Sequence, residues 1–149
     1  MLGKAAGAST RALVQAVALL VVIAIARIGL RWSVLGVFGA LVLLAIGTAS
    51  FACMSMAIAA LVKERERFMG IGQLVMMPLF FASSALYPLS VMPGWLHVVA
   101  RVNPLTYEVE GLRGFLLGGG HPGLDLLVTI GWLIVFATAA TRAYPKAIL

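Results

Sequence analysis

The chain has 149 residues, of which 62% are hydrophobic and 11% charged, with a formal net charge of +6. Soluble domains sit near half apolar with about a quarter charged, so this composition excludes an ordinary soluble domain. The basic residues flank apolar runs and form no basic helix or aromatic-basic platform, which excludes nucleic acid as a partner.

Residues 12–26, 32–62, 68–100 and 126–141 contain no Asp, Glu, Lys or Arg. A hydrocarbon core about 30 Å thick takes roughly 20 apolar residues in helix. The second and third runs exceed that length, and the first and fourth reach it with flanking residues that snorkel. The expectation is an all-α, polytopic helical membrane protein with about four transmembrane helices. Lys4 and Arg11 precede an apolar run, but no polar mature domain follows it, so the pattern is not that of a signal peptide. Cys53 is the single cysteine, so no disulfide framework exists.

The first span is expected over residues 12–28, with Arg27 and Arg31 at the following turn and Trp32 as a headgroup-level anchor. The second covers 34–62, long enough to tilt or to bend near Gly47 and Thr48. Ala45, Ala49, Cys53 and Ala57 recur every four residues and give it one smooth face for close helix packing. Lys63, Glu64, Arg65, Glu66 and Arg67 follow. Each charge would cost about 2.5–3.5 kcal/mol in hydrocarbon, so these five form a water-exposed loop.

The third span is expected over 68–86, with Pro78 kinking it and Met76, Met77, Phe80 and Phe81 clustered around the kink. Breaks follow at Pro88 and at Pro93-Gly94. Residues 93–102 are too few to span and carry a broad apolar face of Trp95, Leu96, Val98, Val99 and Val102, so an interfacial or re-entrant helix is expected. Asn103 is the N-cap of the next helix and Pro104 its first residue. On that helix Glu110 and Arg113, three apart, share a face. With Glu108 they need partners or a polar path if the helix is inserted, and are solvated if it lies at the surface. Gly118-Gly119-Gly120 ends the helix, and the last span covers 124–140.

Four spans put both termini on one side with Lys4, Arg11, Lys63, Arg65, Arg67, Arg142 and Lys146. The excess of basic residues makes that side cytoplasmic, and the broken stretch 88–120 then faces outward.

No GxxxxGK[ST] loop is present, so the chain binds no ATP in that way. No HExxH or paired-cysteine motif occurs, and His97 and His121 are not at metal-ligand spacing. Ser83 and Ser84 lack the flanking glycines of a strained nucleophile turn, so catalysis by them rests on residue type alone.

The run FFASSALYPLSVMPGWLHVVARVNPLTYEVEGLRGFLLGG resembles the C-terminal half of the type-2 permease family of ATP-binding-cassette (ABC) exporters. The matching positions are Ser84 to Pro88, Pro93, Gly94 and Trp95, Asn103 to Tyr107, and Glu108 to Arg113. The resemblance implies that residues 1–149 form a single transmembrane domain, the last four spans of a six-span permease. The first two spans and the main coupling helix would precede Lys4. It implies a re-entrant helix pair before the last span, forming an outer gate with Pro88, Pro93, Gly94, Asn103, Pro104, Tyr107, Glu108, Glu110 and Arg113. It also implies a homodimer or heterodimer in a bacterial cell membrane, energised by a separate cytoplasmic ATPase. ATP would act through that partner, with no cofactor on this chain. Lys4, Lys63, Glu64, Arg65, Glu66 and Arg67 are the edges left to face the ATPase. The cargo implied is a hydrophobic or amphipathic drug, lipid or glycan. The alternative reading is a small accessory membrane protein or a non-functional permease fragment.

Overall fold

A computed structural model describes residues 2–25, 33–62 and 65–143. Among them there are six α-helices and no strand: α1 (Leu2–Ile25), α2 (Val34–Leu61), α3 (Arg65–Phe81), α4 (Gly94–Val102), α5 (Pro104–Leu117) and α6 (Pro122–Ala143). A single 3₁₀ turn, Leu89–Val91, lies between α3 and α4. Arg27, Arg31, Trp32, Lys63, Glu64 and Lys146 lie outside the described residues, as do the side chains of Lys4, Arg65 and Glu66.

The distribution of polarity is that of a membrane protein. Large apolar side chains face outward on α1, α2, α3 and α6, among them Val14, Leu19, Val34, Leu74 and Leu127. The buried set includes Ser50, Ser83, Ser84, Asn103, Thr106, Glu108 and Thr129. In water this arrangement would expose far more contiguous apolar surface than a monomer tolerates. In lipid it is the expected one, because apolar surface has nothing to gain from burial and polar groups must find cover. By length and composition α2 and α6 are each able to cross a bilayer, while the apolar stretches of α1 and α3 are shorter.

α2 is the hub. It packs against α1, α5 and α6, and α5 also packs on α6. The smooth face expected on α2 meets α1 at Ala45, whose carbonyl accepts the Ser9 hydroxyl at 3.0 Å. α2 is one continuous helix through Gly47 and Thr48, where a bend was open on sequence grounds. Gly47 has a different use, described below.

Several boundaries differ from the sequence reading. α1 begins at Leu2, ten residues before the first expected span, and α3 begins at Arg65, so Arg65, Glu66 and Arg67 are the first turn of a helix and not loop. α3 ends at Phe81, not near 86, because Ser83 turns the chain: its hydroxyl donates to the Phe80 carbonyl at 2.7 Å and accepts the Ala85 N–H at 3.2 Å. A serine bonding locally to backbone competes with helix continuation. α4 begins at Gly94 with Pro93 as its N-cap, one residue later than the proline suggested.

Candidate functional site

The broken stretch between α3 and α5 is held by side chains of one short motif. Asn103 Oδ1 accepts the Leu105 N–H at 3.0 Å and caps α5, with Pro104 as the first helical residue. Its Nδ2 donates to the Leu79 carbonyl at 2.6 Å. Leu79 lies in the last turn of α3, where carbonyls have no partner within the helix. One amide therefore satisfies an orphan group at each of two helix ends. Tyr107 does a third: its hydroxyl donates to the Arg101 carbonyl at 2.6 Å, in the last turn of α4. The Ser84 hydroxyl lies 3.4 Å from the Thr106 carbonyl, a long bond between the α3 exit and α5. Ser83 and Ser84 are thus fully buried and engaged with backbone, which gives them structural work and leaves no exposed nucleophile.

α5 lies antiparallel along α2 and makes very close approaches. A methyl group on Gly36 would strike the Phe115 carbonyl, and one on Gly39 the Phe115 ring. One on Gly111 of α5 would come within 2.6 Å of Leu43. One on Gly47 would collide with the whole carboxyl group of Glu108. Positions 36, 39, 43 and 47 are three or four apart and so form one face of α2. Small residues on such a face let two backbones meet closely.

The three charges of α5 fall in different environments. Arg113 Nη1 pairs with Glu110 Oε1 at 3.0 Å, both about one-third exposed, as their spacing predicted. Glu108 is only 7% exposed and has no hydrogen bond or ion pair among the described residues. The Ser50 hydroxyl, one turn beyond Gly47 on α2, is also buried without a partner, as is that of Thr106.

Of the remaining expected gate residues, Pro88, Pro93 and Gly94 are exposed. Pro88 leads into the 3₁₀ turn, its carbonyl accepting the Val91 N–H at 3.1 Å. Asn103, Pro104 and Glu108 are buried. The structure therefore divides the motif into an exposed rim and a buried anchor. Sequence reasoning missed Gly36, Gly39, Ser50, Leu79 and Gly111, and gave Gly47 only as a point where α2 could bend. The spacing of Gly36, Gly39 and Gly47 on α2 was the available signal.

Three apolar hollows flank this frame. One of about 810 Å³ lies between α3, α4 and α6 and is lined by Phe81, Trp95, Val99, Trp132 and Phe136. Met76, Met77 and Phe80 line another of about 370 Å³ with Phe51 and Leu105, while Phe81 of the same cluster lines the first. The third, of about 510 Å³, lies between α1, α2 and α5. Among the described residues no group of three or more His, Cys, Asp or Glu side chains is placed to hold a metal.

Residues 1–117 match the family model described as ABC-2 type transporter. The chain is 31% identical over 113 residues to the daunorubicin resistance ABC transporter permease protein DrrB1 of Streptomyces coeruleorubidus, covering 74% of this chain and 40% of that protein. It is 31% identical over 137 residues to Nodulation protein J of Rhizobium leguminosarum bv. trifolii, covering 91% and 50%. It is 30% identical over 96 residues to the putative transport permease ycf38 of Pyropia yezoensis, covering 64% and 32%. The chain thus spans half or less of the length of these curated relatives. No solved structure matches it. The match over most of the chain, with the Asn103 to Tyr107 motif at its structural centre, bears out the resemblance: the chain belongs to the ABC-2 type transporter family.

Proposed function

We propose that the chain is the membrane-spanning permease subunit of an ATP-driven exporter, or the C-terminal four spans of one. The family match over residues 1–117 carries this reading. Two relatives are named as permeases, and one of these is named for resistance to a drug. In this reading α1, α2, α3 and α6 cross the membrane, both termini face the cytoplasm, and the rim from Pro88 to Gly94 faces outward. A second permease copy completes the path, and a cytoplasmic ATPase supplies the energy. Lys4 and the segment from Lys63 to Arg67 are the edges offered to that ATPase. The cargo is a hydrophobic or amphipathic compound, in keeping with the apolar hollows beside the re-entrant pair.

The test is affinity purification of the tagged chain from its native membrane, followed by identification of what accompanies it. An exporter subunit brings down an ABC ATPase in stoichiometric amount. Purification with membrane partners but repeatedly without any ATPase would instead mark an accessory protein.

A further inference from the structure

Among the described residues Glu108 is the one carboxyl group that the packing hides. Its carboxyl carbon and both oxygens crowd the place where a methyl group on Gly47 would stand, so the whole group lies against the α2 backbone. Gly47 is midway along α2, which runs from Val34 to Leu61, so the contact is remote from either end of that helix.

No counter-charge faces this carboxyl. α2 carries no Asp, Glu, Lys, Arg or His between Val34 and Leu61, and its single titratable side chain is the buried thiol of Cys53. Ser50, one turn from Gly47 on the same face, adds a hydroxyl but no charge. On α5 the Arg113 guanidinium is committed to Glu110 at 3.0 Å, and the Tyr107 hydroxyl to the Arg101 carbonyl. α6 brings Asp125 against Gly111, one turn from Glu108, and that residue is itself an acid. Arg142 of α6, Arg11 of α1 and Arg67 of α3 are exposed, as is His121 before α6. Burial acts on Glu108 and no neighbouring charge does.

Taking an ion out of water without a partner costs several kcal/mol. A carboxyl group so placed keeps a proton instead. Ionised, it would need water or a cation beside it, and the closed glycine seam has room for neither. We propose that Glu108 is a proton-binding site: the seam between α2 and α5 closes on its neutral acid, and loss of the proton to water opens the seam. The proposal rests on the packing of α5 against α2 and not on the exporter reading, and its test needs no ATPase.

The experiment uses the full chain in lipid nanodiscs. At about pH 7, where an ordinary glutamate is ionised, the wild type should show the infrared carbonyl stretch of a protonated carboxyl group that Glu108→Gln lacks. Glu110→Gln, at the exposed pair, should leave that band in place. Opening is read with Ser50→Cys in a Cys53→Ser background, as the rate of reaction with a membrane-permeant thiol reagent relative to the same chain carrying Glu108→Gln. At low pH the two rates should be equal. From about pH 5 to about pH 9 the ratio should rise, by up to about tenfold for each unit over which the closed seam keeps the proton and the open one releases it. Glu108→Ala serves the same comparisons if Glu108→Gln does not accumulate. A wild type without the band would overturn the proposal, and so would a rate ratio that is the same at every pH.

Discussion

The two sides of α5 are built by opposite rules. Toward α2 the contact is tight: Gly36, Gly39, Gly47 and Gly111 remove side chains so that Phe115, Leu43 and Glu108 fit. Toward α3 and α4 the contact is loose. There the polar bonds of Asn103, Tyr107 and Ser84 tie three helix ends together beside an apolar hollow of about 810 Å³. Trp95, Val98 and Val102 of α4 remain well exposed. In lipid, burial of apolar area gives no net drive, so a tight seam must come from close van der Waals contact and a loose one from hydrogen bonds. α5 is therefore fixed to α2 by shape and to the re-entrant segment by a few directional bonds. The expectation is that the α3–α4 side rearranges more readily than the seam of α2, α5 and α6.

The largest effect should come from overpacking the seam. Gly39→Leu would drive a side chain into the Phe115 ring, and inserting bulk into packed interfaces costs about 1–3 kcal/mol or more. Loss of folded protein, read as a lower midpoint of thermal unfolding in detergent, is the expected outcome. An unchanged midpoint would mean that α5 does not lie against Gly39.

Next is the loose side. Asn103→Ala removes the α5 cap and leaves the Leu79 carbonyl without its partner. Loss of a cap costs about 0.5–2 kcal/mol. The structure predicts that the loss is local. Cysteines placed at Trp95 or Val98 should react faster with a membrane-permeant thiol reagent, while one at Gly111 should not. Uniform acceleration at all three would place the hinge elsewhere.

The smallest stability effect is expected at the Glu110–Arg113 pair, about one-third exposed. Arg113→Ala should change stability by no more than about 0.5 kcal/mol, as is usual for a solvent-accessible ion pair. In a complete subunit it and Pro104→Ala should nevertheless lower export at normal expression. Unaltered export by both would remove them from the gate.

The local parts of this picture were legible in the residues. A cap needs only its own helix start, so Asn103 and Pro104 announced α5, and three-residue spacing announced the Glu110–Arg113 pair. The glycine run also ended α5 as expected: Gly118, Gly119 and Gly120 all have positive φ, which other residues adopt only with strain. What was illegible depends on contacts distant in sequence. Nothing near Asn103 indicates that its amide reaches Leu79, 24 residues away. Nothing near Glu108 indicates whether it meets water or Gly47, because that depends on how α5 is rotated against α2. The end of α3 was misplaced because an apolar run continues through Ala82 to Leu86, while the turn is set by one serine hydroxyl.

A double-mutant cycle between Gly47 and Glu108 tests the seam most directly, with thermal unfolding of the full chain as the readout. Gly47→Ala alone should destabilise, because its methyl group meets the Glu108 carboxyl. Glu108→Ala alone should be neutral or stabilising, since it removes a buried acid without a partner. Together, the second change should restore most of what the first loses, with a coupling of about 1–3 kcal/mol. Additive effects, with the double variant as unstable as Gly47→Ala, would show that the Glu108 carboxyl does not sit against Gly47.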